Sequence, residues 1–287
     1  MDKQEDAANL DVDTSCPTAL AETRRGGMQP NAYVVPKAED LRRGRALMAR
    51  LLRGEKTDDP ASLGFEIVPL EGWPDVVLLR EAGDKRRGGG AYVIRKGGTS
   101  SLVVQAPHTF YDQGTFPLAC ELFQRAHARA LFINTVHRYR GSPADENGNH
   151  ASDVAHSANS MFHAFTEGAV EALAKVAPPR VVQLHGFAER NIPAHAVVST
   201  GEKRPGGAVV ARVAQALEGV VGPRVLKYPE DTKELGATTN VQGVFVRRAG
   251  GIFVHVEMEE GTRRDLLRDA SLRARALDAI GTSVMAP

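Results

Sequence analysis

Three sets of residues able to hold a metal ion or move a proton stand at the ends of apolar runs. The run 101–107, Ser-Leu-Val-Val-Gln-Ala-Pro, leads straight into His108, and Asp112 follows four positions later, before Gly114 and Thr115. Val181, Val182, Gln183 and Leu184 lead into His185, and the run 252–256 leads into Glu257. Two imidazoles and a carboxylate suit Zn²⁺, whose catalytic sites use three protein ligands and keep a fourth position for water. His108, Asp112 and His185 are therefore read as the ligands of about one zinc ion per chain. Glu257 is left as the general base toward water. Each group has a plainer role open to it. A histidine at a strand end often just bonds a loop, Asp before Gly is ordinary turn chemistry, and Glu257, with Glu259 and Glu260, could cap the next helix. Their shared placement at strand exits, where open α/β sheets bind ligands, favours the chemical reading.

Arg138 and Arg140 close a further apolar run, 131–136. A guanidinium there could take a substrate carboxylate in a two-pronged bond, or simply belong to a basic loop. A polar stripe of His156, Asn159, Ser160, His163 and Glu167 shares a helical spacing distinct from the apolar set Val154, Ala158, Met161, Phe162, Phe165, Ala169 and Leu173. It reads either as a solvated face or as one whose first residue, His156, borders the site. No Gly-x-Ser-x-Gly elbow occurs, which speaks against a serine nucleophile. Two cysteines cannot build a thiolate zinc site. Cys16 falls in a tail and Cys120 in a helix, so two free thiols are expected, with their pairing as the alternative.

The elements that must position these groups follow from the patterning. Residues 1–40 are polar and aperiodic and read as a flexible arm. The span 41–287 reads as a single domain whose first part, 41–100, is β-rich: a helix at 41–52, then strands at 65–70, 76–80, 91–95 and 101–106, with Gly88, Gly89 and Gly90 in a hairpin connection. Helices are expected at 117–128, 152–176, 208–218 and 262–277, and strands at 131–136, 181–184, 196–199, 224–227, 243–247 and 252–258. Alternation of this kind gives an α/β fold: a mixed, mostly parallel central sheet with helices on both faces, an N-terminal arm and a β-rich extension.

The 287 residues carry 36 Lys and Arg against 35 Asp and Glu, a formal net charge of +1. That balance offers no general attraction to nucleic acid or an anionic membrane, so neither is expected as a partner. The basic runs at 85–87 and 263–264 read as solvated loop and helix-end charges. No apolar stretch approaches the roughly 20 residues of a spanning helix. The first residues lack the apolar core of a secretion signal, which fits a cytoplasmic protein or one whose signal has been removed.

At these residues the chain resembles the N-formylglutamate amidohydrolases and their relatives, the zinc carboxypeptidases and phage-type poly-γ-glutamate hydrolases. The likeness covers roughly residues 100–270. Ala106-Pro107-His108 with Asp112 and Gly114-Thr115 is similar to the first metal-binding loop, and His185-Gly186 to the second metal-binding histidine. Val256-Glu257-Met258-Glu259 resembles the late strand bearing the catalytic glutamate. Arg138 falls where an Asn-Arg pair holds the substrate carboxylate, with His137 in place of the Asn. The carboxypeptidases place a Glu three residues after the first His; here that position is Tyr111, and Asp112 is the neighbouring carboxylate. The resemblance implies a zinc-carboxypeptidase-like fold and hydrolysis of an amide or peptide bond beside a carboxylate-bearing group, in a small molecule or a peptide. A catalytically silent binding protein for an acidic ligand is the rival reading.

Overall fold

The computed structural model describes residues 16–26, 31–57, 60–83, 86–188 and 192–287. Residues 1–15 of the expected arm, and Lys85 of the first basic run, lie outside the described residues.

Among the described residues, nine strands form one sheet, in the order β1-β2-β3-β5-β4-β6-β9-β7-β8. The strands are β1 Phe65–Leu70, β2 Trp73–Glu81, β3 Ala91–Arg95, β4 Leu102–Ala106, β5 Ala130–Ile133, β6 Arg180–Phe187, β7 Ala196–Ser199, β8 Val225–Lys227 and β9 Ile252–Glu259. β5, β4, β6 and β9 run parallel to one another at the centre. The β-rich extension, β1 to β3, continues the sheet antiparallel on one side. On the other side β7 joins β9 antiparallel and pairs with β8 in parallel. Central strands buried on both faces need apolar residues at nearly every position, and β4 and β5 are such runs.

Among the described residues, eight α-helices flank the sheet: α1 Thr18–Arg25, α2 Ala38–Arg53, α3 Thr115–Arg125, α4 Met161–Leu173, α5 Gly207–Val221, α6 Val241–Arg248, α7 Glu260–Arg268 and α8 Ala270–Met285. α1, α3, α5 and α8 bury their apolar stripes on one face, against Val104, Val182, Leu184, Val254 and Val256. α2, α4 and α6 cover the other, against Val103, Val181 and Phe253. Within the stretch read as an arm, α1 is packed: Leu20 is fully buried, and Cys16, just ahead of it, forms a disulfide with Cys120 of α3. This corrects the expectation of free thiols. The tail folds back over 104 residues of chain to reach Cys120, a contact that spacing alone does not reveal.

Three expected elements differ. The helix expected at 152–176 is regular only over α4, because Ser160 caps it by accepting from the His163 amide. Residues ahead of it form tight turns, with the amides of Asp153 and His156 bonded to the carbonyls of His150 and Asp153. Ala158, expected on the core face, is exposed. The run Gly243 to Arg247, expected as a strand from its Val and Phe content, is helical in α6, where the Asn240 side chain caps the start by accepting from the Gly243 amide. The helix expected at 262–277 is two helices broken at Asp269, whose carboxylate caps α8.

Candidate metal centre

The site lies where β4, β6 and β9, side by side in the sheet, reach their carboxyl ends. Beyond β4 the chain closes one helical turn: the amides of Tyr111 and Asp112 both donate to the His108 carbonyl, at 2.9 and 2.8 Å. That turn places His108 and Asp112 on one side, as their four-residue spacing requires. Asn134 secures the loop by donating to the Pro107 carbonyl at 2.9 Å. His185 arrives from β6, in register with Glu257 of β9.

Two ring nitrogens and one carboxylate oxygen converge here. Nδ1 of His108 and Nδ1 of His185 lie 3.4 and 3.3 Å from the same atom, Oδ2 of Asp112. Ligands held tetrahedrally at about 2.0–2.1 Å from a zinc ion stand about 3.3 Å apart, so both spacings fit this geometry. The remote nitrogens are anchored elsewhere. Nε2 of His108 bonds Oδ1 of Asp153 at 2.8 Å, and Nε2 of His185 bonds Oε1 of Gln183 at 3.0 Å. All three donor residues are buried.

Their electrostatics follow from that burial. Desolvation works against ionising Asp112, but the imidazoles of His108 and His185 beside it outweigh it and hold the carboxyl well below its usual range. Burial also disfavours charge on His108, yet the carboxylates of Asp112 and Asp153 raise it overall. His185 has weaker compensation; burial and the neighbouring His108 bring it down to about 4, so its ring is neutral near pH 7. Asp153 overcomes its own desolvation through His108, His156 and Arg138, and stays ionised.

Glu257 is nearly enclosed, and its Oε2 is a buried oxygen without a hydrogen-bond partner among the described residues. Burial, then repulsion from Asp112, push its carboxyl up to about 8. One of its oxygens and ring nitrogens of His185 and His255 lie within 4.8 Å of one another. Helix capping, the plainer role considered for this acidic cluster, belongs to Glu259, which accepts from the Thr262 amide at 2.9 Å. His255 is buried, its ring 4.4 Å from that of His185, and burial holds it well below the usual histidine range.

Arg138 lies inside the site. Its Nε donates to Asp153 Oδ2 at 3.1 Å, a second nitrogen reaches the same oxygen, and NH1 sits 3.2 Å from Nδ1 of His108. The exposed rings of Tyr111 and Tyr139 flank it. His156 stands at the rim, its Nδ1 3.2 Å from Asp153 Oδ2, and helps line an open groove with Tyr139, His150 and Asp153. Arg140 is exposed and bonds through its backbone, its carbonyl accepting from Asn31. The seven candidate residues thus fall into a buried group of His108, Asp112 and His185 with the partly buried Glu257 beside it, an adjoining Arg138, and His156 and Arg140 farther out.

Three contributors escaped the sequence reading. Asp153 sits 45 residues from His108, in a stretch expected to be helical. Arg263, expected as part of a solvated basic run, is buried instead. It donates to the carbonyls of Gln113, Phe187 and Met258, tying together the three segments that carry the site. Gly186 follows from this arrangement, since a Cβ there would overlap the Arg263 guanidinium. The other basic run is likewise engaged: Arg86 donates to the Thr23 carbonyl and Arg87 to that of Leu63. Gln183 is the third, and its signal is local: an amide inside the apolar run 181–184, two residues before His185.

No protein-family model matches the sequence, and no curated protein is similar to it by sequence. Solved structures similar to it include the gene product Atu2144 from Agrobacterium tumefaciens, at 16% identity over 65% of this chain and 89% of that one, TM-score 0.45. N-formylglutamate amidohydrolase from Ralstonia eutropha JMP134 is 12% identical over 68% of this chain and 97% of its own, TM-score 0.43. A metallo-carboxypeptidase from Burkholderia cenocepacia is 15% identical over 77% of this chain, TM-score 0.40, and this chain spans 65% of it. Two of these three carry the names of an amidohydrolase and a metallo-carboxypeptidase, at low identity.

Proposed function

We propose that this chain is a zinc-dependent hydrolase of amide or peptide bonds, with His108, Asp112 and His185 as the metal ligands and Glu257 as the general base. The observation that carries the reading is the convergence of two imidazole nitrogens on one carboxylate oxygen at 3.3–3.4 Å, beside Glu257, whose buried Oε2 has no hydrogen-bond partner among the described residues. A zinc ion bound there would polarise an amide carbonyl and acidify water. Glu257 would supply the proton traffic in its ionised form, which the positive charge of a bound cation favours over the protonated form of the metal-free chain: Oε2 then takes the proton from water and passes it to the leaving nitrogen. The enclosure that leaves Oε2 unsatisfied also keeps bulk water from competing for it. Arg138, already within the site, with Arg140 farther out, offers guanidinium donors on the substrate side that suit a carboxylate near the scissile bond, with His156 at the rim.

The test is elemental analysis joined to hydrolysis of N-acylated amino acids and short peptides. About one zinc per chain is expected in wild type and little in folded His108→Ala and His185→Ala proteins. Glu257→Gln should keep the metal and lose activity on the order of 10²–10⁴-fold. A wild-type protein that takes up no zinc, yet binds acidic ligands, is a binding protein and not this hydrolase.

A further inference from the structure

Beneath the site, on the sheet face that bears His185 and Glu257, four side-chain amides meet in the protein interior. Gln105 of β4 and Gln183 of β6 are register partners, Asn240 is the cap of α6, and Gln242 lies in its first turn. All four are buried. Amides can be turned end for end, so which atom faces His185 is decided by whatever holds the far side of the network.

Backbone groups hold it at three places. The Gly243 amide can only donate, and it donates to Asn240 Oδ1 at 2.8 Å; Asn240 must then turn its Nδ2 toward Gln183, 2.7 Å away. The Val154 carbonyl can only accept, and it takes Gln242 Nε2 at 2.8 Å; Gln242 therefore shows Oε1 to Gln183. The Phe162 carbonyl takes the Thr166 hydroxyl proton at 2.8 Å, so Thr166 accepts from Gln105 Nε2 at 2.9 Å and Gln105 also shows Oε1 to Gln183. Facing one donor on one side and two acceptors on the other, Gln183 has a single satisfied orientation: Nε2 toward Gln105 and Gln242, Oε1 toward Asn240. That oxygen is also the atom 3.0 Å from Nε2 of His185. A lone pair on Nε2 would face that oxygen at the shorter distance, so Nε2 carries the hydrogen, and in the neutral ring Nδ1 turns its lone pair toward Asp112 Oδ2, 3.3 Å away, the gap that a bound cation would fill.

We propose that this amide network is a tautomer lock, with Gln183 as a positioning residue that commits His185 to present Nδ1 to a metal ion. The lock rests on the metal-binding reading for its purpose, but not for its existence, since every bond in it lies within the chain. A histidine free in water divides between two tautomers, and only one leaves the nitrogen facing Asp112 able to ligate. Fixing the tautomer and the ring plane in advance removes that selection from the binding step. The network is assembled from β4, β6, α4 and α6, so the packing of two helices on the sheet is transmitted to one ring nitrogen.

The experiment is ¹⁵N–¹³C correlation NMR of the histidine rings in metal-free protein at neutral to mildly alkaline pH, with zinc affinity from chelator competition. Wild type should show His185 as the Nε2–H form. Gln183→Leu, checked for native folding by circular dichroism, should populate both tautomers and bind zinc about 10- to 100-fold more weakly. Asn240→Asp is the second variant. Its carboxylate still caps α6 but replaces the donor facing Gln183 by an acceptor, so the Nε2–H population should fall although no atom of Gln183 or His185 has changed. Wild-type His185 found as Nδ1–H overturns the proposal. So does a folded Gln183→Leu protein with the tautomer and zinc affinity of wild type. Absence of zinc binding by wild type refutes the metal reading instead, and the tautomer in the two variants then decides the lock by itself.

Discussion

Replacing Asp153 with Asn tests whether the candidate centre is held together as its geometry implies. Oδ1 of Asp153 accepts from His108 Nε2 at 2.8 Å, while Oδ2 receives the Arg138 guanidinium and approaches His156. Asparagine offers one acceptor where two are in use, so either His108 or Arg138 loses its anchor. Losing the partner of a ligating histidine typically costs 10–100-fold in metal affinity, about 1.4–2.7 kcal/mol. A charge effect adds to this. Arg138 reaches within 3.2 Å of His108 Nδ1, and Asp153 supplies the negative charge that offsets it. Unit charges about 5 Å apart interact by roughly 3 kcal/mol at an effective dielectric constant of 20, and part of that repulsion toward a bound cation is unmasked in the variant. Together the losses should weaken zinc binding by about 2–4 kcal/mol, roughly 30- to 1,000-fold, measured by chelator competition. The double variant Asp153→Asn with Arg138→Ala should recover about tenfold, because it removes the unmasked charge. Zinc affinity of Asp153→Asn within threefold of wild type would refute the anchoring role. A double variant no better than the single would refute the electrostatic part.

Arg138→Ala should lower kcat/KM about 10- to 150-fold for substrates with a free carboxylate and leave their amidated analogues little changed; equal losses on both would mean the guanidinium does not read the carboxylate. His163, buried on α4 with an Nδ1 that has no hydrogen-bond partner among the described residues, is brought down to about 4 by desolvation, below its ordinary 6.5. The unfolded chain therefore takes up this proton first, so stability is full above pH 6.5 and falls as pH drops toward 4. Denaturant titrations should show His163→Leu flattening that limb by up to roughly 3 kcal/mol, and a wild-type acid limb in the variant would rule His163 out. The disulfide closes a loop of about a hundred residues, for which a chain-entropy estimate gives about 4–5 kcal/mol. Reduction verified by thiol counting should lower Tm by about 5–15 °C, and an unchanged Tm would show that the pairing does not stabilise the fold.

The sequence by itself determined the α/β class, the central strands and the placement of His108, Asp112, His185 and Glu257 at strand exits. These features are local: apolar runs set the strands, and a spacing of four closes one turn. Even Gln105 and Gln183 are visible as amides within apolar strands, although their purpose is not. The tertiary structure decided the rest. It turned Gly243 to Arg247 into a helix, because a cap from Asn240 and packing on Phe253 outweigh the strand preference of Val and Phe. Asp153, Arg263, Asn240 and the Cys16–Cys120 pair act on groups far away in sequence, and no periodicity encodes a partner at that separation. Which nitrogen of His185 carries its proton is the furthest removed from the sequence. That outcome depends on three backbone groups, Gly243 N, Val154 O and Phe162 O, which reach Gln183 only once α4 and α6 are packed on the sheet.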